Sequence, residues 1–216
     1  MKKTTVILFA SALLIMGGRT FAQTAPDESK EEVKASYAQP TDVTYKTFYV
    51  YKDAGFSGNH FIPSGWMGDY KDISLSQDST DNPNSGSTCI KIKYSNKASN
   101  GARWAGICWQ QPANNWGDKE NAGFDLTGAK TLVFYARGEK GGERIEEFKI
   151  GGINGNYPDS DTASIGPIVL TNEWQKFTIN LEGKNLKYII GGFALSANID
   201  GNQNGCTFYL DDIRYE

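Results

Sequence analysis

The chain has 216 residues, with 22 Lys and Arg against 25 Asp and Glu and a formal net charge of -3. That balance argues against a nucleic-acid partner, because phosphate binding needs a basic surplus gathered on one face. A single histidine excludes multi-histidine zinc sites, and the chain is short enough to be one domain around one core.

At the N-terminus Lys2 and Lys3 precede an uncharged, mostly apolar run from Val6 to Met16, followed by small residues and Thr20-Phe21-Ala22. This is the pattern of a secretory signal peptide over residues 1–22, with cleavage expected after Ala22. The run is about half of the roughly 20 apolar residues a membrane span needs, and no cysteine ends it to accept a lipid. The mature protein is therefore expected to be secreted or periplasmic, to lack a membrane span and to be a monomer. Residues 23–42 mix Asp27, Glu28, Lys30, Glu31, Glu32 and Lys34 with Pro26 and Pro40. Such a segment has too little apolar surface to offset its ordering entropy and reads as a flexible linker.

Residues 43–216 carry no long segment with helical apolar spacing. Short runs that alternate predict strands over 44–51, 72–76, 88–94, 103–110, 131–137, 148–151, 174–181, 192–197 and 207–215. The loop from Gly55 to Asp69 holds Phe56, His60, Phe61, Trp66 and Met67 and reads as a surface rim or as aromatics tucked under the domain. Turn signals such as Asn82-Pro83-Asn84-Ser85-Gly86 and Gly141-Gly142 separate the runs. The charged stretch from Glu139 to Glu147 reads as a solvated turn.

Alternation assigns faces. In 131–137, Leu132, Phe134 and Ala136 point to the core, with Val133, Tyr135 and Arg137 outward. In 175–181 the inward set is Phe177, Ile179 and Leu181. In 88–94 it is Ile90, Ile92 and Tyr94, against Cys89, Lys91 and Lys93. Half-buried strands in this number must cover one another's apolar faces, so the expected fold is all-β: an antiparallel β-sandwich.

The segment from Arg103 to Asp118 contains Trp104, Trp109 and Trp116 with Gln110, Gln111, Asn114 and Asn115. If Ile107 and Trp109 share the core register, Trp104 and Gln110 face outward, and Asn115 and Trp116 occupy the following loop. Aromatic faces next to amides and arginine suit a sugar, whose ring has apolar faces and hydroxyl edges. Trp104, Gln110, Asn115, Trp116, Tyr135 and Arg137 are the candidate ligand-binding residues.

The segments Ser87-Thr88-Cys89-Ile90-Lys91-Ile92, Thr131-Leu132-Val133-Phe134-Tyr135-Ala136-Arg137-Gly138, Glu173 to Leu181 and Phe208-Tyr209-Leu210-Asp211-Asp212-Ile213 resemble, in order and spacing, strands of the galactose-binding-like jelly rolls used as carbohydrate-binding modules. The resemblance spans Tyr45 to Glu216. It implies a non-catalytic module for a glycan or polysaccharide, and a structural calcium ion for which Asp211 matches a ligand position and Asp53 is a plausible further source. The acidic residue usual in the first strand is replaced here by Tyr49, Val50 and Tyr51. The stretch Asp200-Gly201-Asn202-Gln203-Asn204-Gly205 has the opening half of a calcium-loop pattern, but an extended strand after it would carry Asp211 out of reach, and an Asn-Gly hairpin turn explains it more simply.

Catalysis has little sequence support. The lone His60 reads as a packed loop residue, there is no nucleophile elbow, and Gly151-Gly152-Ile153-Asn154-Gly155 lacks phosphate-loop spacing. A glycoside hydrolase or lyase needs only a carboxylate pair, for which Asp69, Asp72, Asp118, Glu120, Glu146 and Glu147 are candidates. A structural or protein-interaction domain of the cell envelope is the remaining alternative. Cys89, Cys108 and Cys206 permit one disulfide with one thiol left over, and spacing does not choose the pair.

Overall fold

The computed structural model describes residues 45–216; the expected signal peptide and linker lie outside the described residues. The strands are β1 Phe48–Tyr51, β2 Ile62–Gly68, β3 Ile73–Ser79, β4 Cys89–Tyr94, β5 Trp104–Gln110, β6 Thr131–Gly138, β7 Arg144–Ile145, β8 Glu147–Gly151, β9 Thr162–Ile165, β10 Ile168–Val169, β11 Gln175–Asn180, β12 Gly191–Asn198 and β13 Cys206–Tyr215. A single 3-10 turn, Tyr70–Asp72, joins β2 to β3.

The strands form two antiparallel sheets. The first has the order β11-β6-β13-β4-β3, with β1 added beside the end of β13; the second has the order β2-β5-β12-β8-β9. A short β7-β10 ladder stands apart. Among the described residues no helix is long and apolar enough to cross a membrane.

The core lies between the sheets and is built by alternation. From the first sheet come Ile90, Ile92, Leu132, Phe134, Ala136, Phe208 and Leu210; from the second come Ala105, Ile107, Trp109, Phe148, Phe193 and Leu195. The rings of Phe134, Phe148, Phe193 and Trp109 pack in a chain with centroids 4.7 to 5.9 Å apart. Burying each such side chain contributes roughly 1.5–3 kcal/mol. The expected inward residues of the 131–137 and 88–94 runs are all buried, and Phe177 is partly buried at the edge strand β11.

The outer face of the first sheet is not open, contrary to what alternation alone suggests for Val133, Arg137 and Cys89. Residues 80–88 are strapped across it. Arg137 Nη2 donates to the Asp81 carbonyl at 2.6 Å, Trp174 Nε1 donates to the Asn82 carbonyl at 2.8 Å, and Asn84 Nδ2 donates to Asp212 Oδ2 at 2.8 Å. The Arg137 guanidinium stacks 3.8 Å from the Tyr209 ring centroid and 5.3 Å from that of Trp174. Arginine is suited to this because its planar, weakly hydrated cation loses little on stacking.

Strand β13 changes partner midway. Its first half pairs with β4 and its end with β1, and the change falls at a bulge between Asp211 and Arg214, where Asp212 has φ 50°. Aspartate tolerates that left-handed backbone better than bulkier residues.

Three local expectations are corrected. The 55–69 stretch is not a loop throughout: its second half is β2, an edge strand that tolerates Pro63 because an edge position need not supply every N–H. The 200–205 stretch is no hairpin turn, because β12 and β13 lie in different sheets and the segment crosses between them. The 139–147 stretch is not a solvated turn throughout: it contains β7, and Glu143 is buried with Oε1 accepting the Lys140 N–H at 2.8 Å. All three cysteines are free thiols; Cys89 and Cys108 face outward from opposite sheets, so the core separates them.

Candidate functional site

Along β5 the residues that alternate with the core set are Trp104, Gly106, Cys108 and Gln110, all on the outer face of the second sheet. Register sets their neighbours. On β12, Asn198, Ser196 and Ala194 lie opposite Trp104, Gly106 and Cys108; on β8, Glu147 and Lys149 lie opposite Ser196 and Ala194; on β2, Met67 lies opposite Gly106. The two central strands thus present small side chains, while Met67 stands on one flank and Glu147 and Lys149 on the other.

The result is a trough. One depression of about 330 Å³ lies at its Trp116 end and another of about 250 Å³ at its Trp104 end, and the two share Met67, Lys149 and Ala194. Trp104 is 38% and Trp116 44% exposed, so each offers an aromatic face to solvent. Gly106 is required here: a Cβ on it would lie 2.6 Å from the Leu195 carbonyl oxygen and 3.0 Å from Met67 Cε. Its absence lets Met67 lie across the floor.

Trp116 is held by buried amides. Gln110 Nε2 donates to the Asn115 carbonyl at 2.8 Å, Ser64 Oγ donates to Gln110 Oε1 at 2.9 Å, Asn115 Nδ2 donates to the Gln111 carbonyl at 2.9 Å, and Asn115 Oδ1 accepts the Gly117 N–H at 3.0 Å. A second loop clasps this one, with the Tyr157 N–H donating to the Gly117 carbonyl at 2.9 Å. Asp159 anchors that second loop: its carboxylate accepts N–H bonds from Ile153 at 2.8 Å, Ile190 at 2.6 Å and Gly191 at 3.2 Å. Burial nonetheless pushes the Asp159 carboxyl above the usual carboxylate range.

Of the sequence-derived candidates, the structure brings Trp104 and Trp116 to the same trough. Gln110 and Asn115 are fully buried and position the loop rather than face solvent. Tyr135 and Arg137 lie on the outer face of the first sheet, on the far side of the sandwich, with Arg137 under the 80–88 strap. Sequence reasoning missed Lys149, placed Met67 in a separate aromatic cluster over 55–69, and considered Glu147 only as a catalytic carboxylate. Alternation in β8 marks 147 and 149 as outward, but the pairing that sets them beside Trp104 and Trp116 has no local signal.

Glu120 is exposed in a loop, and the remaining polar candidates have structural partners. His60 stacks on Phe48 with centroids 3.9 Å apart, its Nδ1 lying 3.1 Å from the Tyr49 carbonyl. Asp69 accepts backbone N–H bonds from Asn100, Ala102 and Arg103, Asp72 accepts from Ser99, and Glu146 pairs with Arg144 Nε at 2.7 Å. Asp118 accepts the Trp116 N–H at 3.3 Å. A larger depression of about 580 Å³ lies between the 139–143 and 201–207 segments, but its one aromatic residue, Tyr94, is buried, so it offers no stacking platform.

Asp53 and Asp211 do not fit a calcium cage. Asp53 Oδ1 accepts four bonds, from the N–H and hydroxyl groups of Ser87 and Thr88 at 2.8–3.2 Å. Asp211 Oδ2 accepts the N–H groups of Asn84 and Ser85, and its Oδ1 accepts that of Asp212. Calcium needs six to eight oxygens, whereas these carboxylates are turned onto backbone N–H groups, whose positive ends oppose a cation at the same lone pairs. Among the described residues no three His, Cys, Asp or Glu side chains group to hold a metal. Both aspartates instead tie the 84–88 segment to the first sheet.

Two antiparallel sheets, with a small-floored trough between exposed tryptophans on one outer face, define a β-sandwich jelly roll. Solved structures match it: a family 30 carbohydrate-binding module at TM-score 0.53 and 14% identity covers 80% of this chain and 88% of its own. The family 30 carbohydrate-binding module of a cellulosomal cellulase of Clostridium thermocellum gives TM-score 0.54 at 15% identity, over 79% of this chain and 97% of its own. At such identities the likeness is one of fold. No protein-family profile and no curated protein matches the sequence.

Proposed function

We propose that the protein binds a carbohydrate chain without chemistry of its own, and that the outer face of the second sheet is its site. One observation carries the reading: Trp104 and Trp116 stand exposed at the two ends of a trough whose floor is Gly106, Cys108, Ala194 and Ser196. Sugar rings stack their apolar faces on such platforms, and the flanking Glu147, Lys149 and Ser196 supply hydrogen-bonding groups for hydroxyls. Trp104 and Cys108, four residues apart on one strand, span roughly 13 Å. A further depression of about 390 Å³ continues past Trp104 toward Asp200, so the face suits several linked sugars better than one.

Hydrolysis uses two facing carboxylates; among the described residues the two trough depressions are lined by one, Glu147, and the continuation past Trp104 adds Glu146 and Asp200, which are paired with Arg144 and Arg103. The fold likeness to carbohydrate-binding modules favours binding without hydrolysis. The N-terminal pattern of residues 1–22 supports export to the periplasm or beyond, where polysaccharides are met.

The test is titration of the protein against a panel of soluble polysaccharides, with Trp104→Ala and Trp116→Ala beside it. Binding that both variants weaken supports the reading. A folded protein that binds no member, or one whose binding ignores both substitutions, overturns it.

A further inference from the structure

The two ends of the trough differ in charge. The Trp104 end is bordered by Glu147 and Lys149 together, whereas the Trp116 end has Lys149 as its sole charged residue, beside Asn154, the Gly151–Ile153 backbone and the apolar floor. Lys149 makes no ion pair among the described residues, whereas Arg103, at the other extreme of the face, is neutralised by Asp200 at 2.6 Å. The nearby Asp159 feels the Lys149 charge but makes no ion-pair contact with it, its oxygens accepting the N–H groups of Ile153, Ile190 and Gly191.

The seat of the ammonium is kept clear by the backbone. Gly152 has φ 83°, and a Cβ there would lie 3.3 Å from Lys149 Nζ and 3.2 Å from Thr162 Oγ1. Lys149 is thus a half-buried cation with no ion-pair contact, next to an aromatic platform and a side-chain amide.

We propose that the Trp116 end is a subsite for an acidic sugar, whose carboxylate or sulfate ester pairs with Lys149 while its ring stacks on Trp116, and that the Trp104 end takes a neutral sugar. This rests on the carbohydrate-binding reading and names its substrate class. No covalent step is involved. Charge pairing in a partly desolvated trough adds selectivity between ligands of the same shape.

The experiment titrates the protein with polygalacturonate, a sulfated galactan and a neutral soluble β-glucan, each at low and at raised salt, alongside Lys149→Gln and Lys149→Arg. One of the two anionic polymers is expected to bind about tenfold more tightly than the neutral one at low salt, with the advantage shrinking as salt screens the pair. Which one binds tells a carboxylate from a sulfate ester. Lys149→Gln should abolish that advantage by weakening anionic binding about tenfold more than it weakens neutral binding, and Lys149→Arg should keep it. Neutral glucan binding as tightly as both anionic polymers, or Lys149→Gln weakening all ligands alike, overturns the acidic subsite while the carbohydrate reading stands. Should Lys149→Gln fail to fold, a salt-insensitive preference in the unsubstituted protein overturns it equally. Binding to none of the three by the folded protein overturns both.

Discussion

The side-chain amide of Gln110 donates to the main-chain carbonyl of Asn115 at 2.8 Å, with both residues fully buried. Two amides that look like sugar contacts in the sequence are thereby the internal frame of the loop that presents Trp116. An amide buried with partners on both of its ends is costly to unmake, because each abandoned donor or acceptor keeps its desolvation penalty.

Gln110→Ala should therefore act on the ligand only through Trp116. It leaves the buried Asn115 carbonyl without its donor, while the Ser64 hydroxyl keeps the Ile62 carbonyl and the Asn114 N–H, at an expected cost of about 1–3 kcal/mol in chemical denaturation. Glycan affinity should fall with it, and the Trp116 contribution to intrinsic fluorescence should shift toward that of solvated indole. Full affinity with a displaced loop would show that Trp116 does not touch the ligand.

Trp104→Ala and Trp116→Ala should act on the ligand directly. Each ring is partly covered, so truncation should cost on the order of 1–2 kcal/mol of stability without unfolding the domain. Each loss should weaken binding by about tenfold, the scale of an aromatic stacking contribution. Paired thermal melts and titrations separate the two effects.

How much of this could be read from the sequence depends on range. Leu132, Phe134 and Ala136, or Ile90 and Ile92, declare their face by strict alternation, and the strands they belong to fall where the pattern puts them. Strand β2 is hidden because Pro63, Gly65 and Gly68 interrupt any alternating run, and only pairing with β5 holds it extended. Trp104 was legible as outward from its own strand. Lys149 was not legible as its neighbour, because the β5-β12-β8 order joins residues some forty positions apart through a strand still further along. The 200–205 segment shows the same limit: an Asn-Gly turn fits a hairpin or a crossover locally, and the sheets on either side decide.

Arg137 was grouped with the tryptophans by the sequence and is separated from them by the whole sandwich. Its guanidinium lies between Tyr209 and Trp174 and holds the Asp81 carbonyl. Arg137→Ala should cost about 2–3 kcal/mol, through lost stacking, a lost charged hydrogen bond and a loosened 80–88 strap. Glycan affinity at a temperature where the variant is folded should be unchanged. A loss of affinity without loss of stability would return this face to consideration as a binding surface.

Asp211 sets the pH dependence of the same strap. Burial raises its carboxyl to about 7 against the stabilising N–H bonds from Ser85, Asp212 and Asn84, and the Asp212 charge beside it adds to the rise. In the unfolded chain the group titrates near ~3.9. A folded-state value raised above the unfolded one means that the folded form holds the proton more tightly. The associated stability is thus fully present below about pH 4 and is lost as the pH climbs through about 7. Denaturant melts between those limits should show stability falling with rising pH, by an amount on the order of a few kcal/mol. Asp211→Asn cannot ionise and should flatten that slope, while losing about 1 kcal/mol at low pH because the amide cannot accept from both the Asn84–Ser85 turn and the Asp212 N–H. An unchanged slope in Asp211→Asn would assign the dependence to another group. Stability that instead rises over the same window would mean that the three N–H bonds outweigh burial and hold Asp211 ionised.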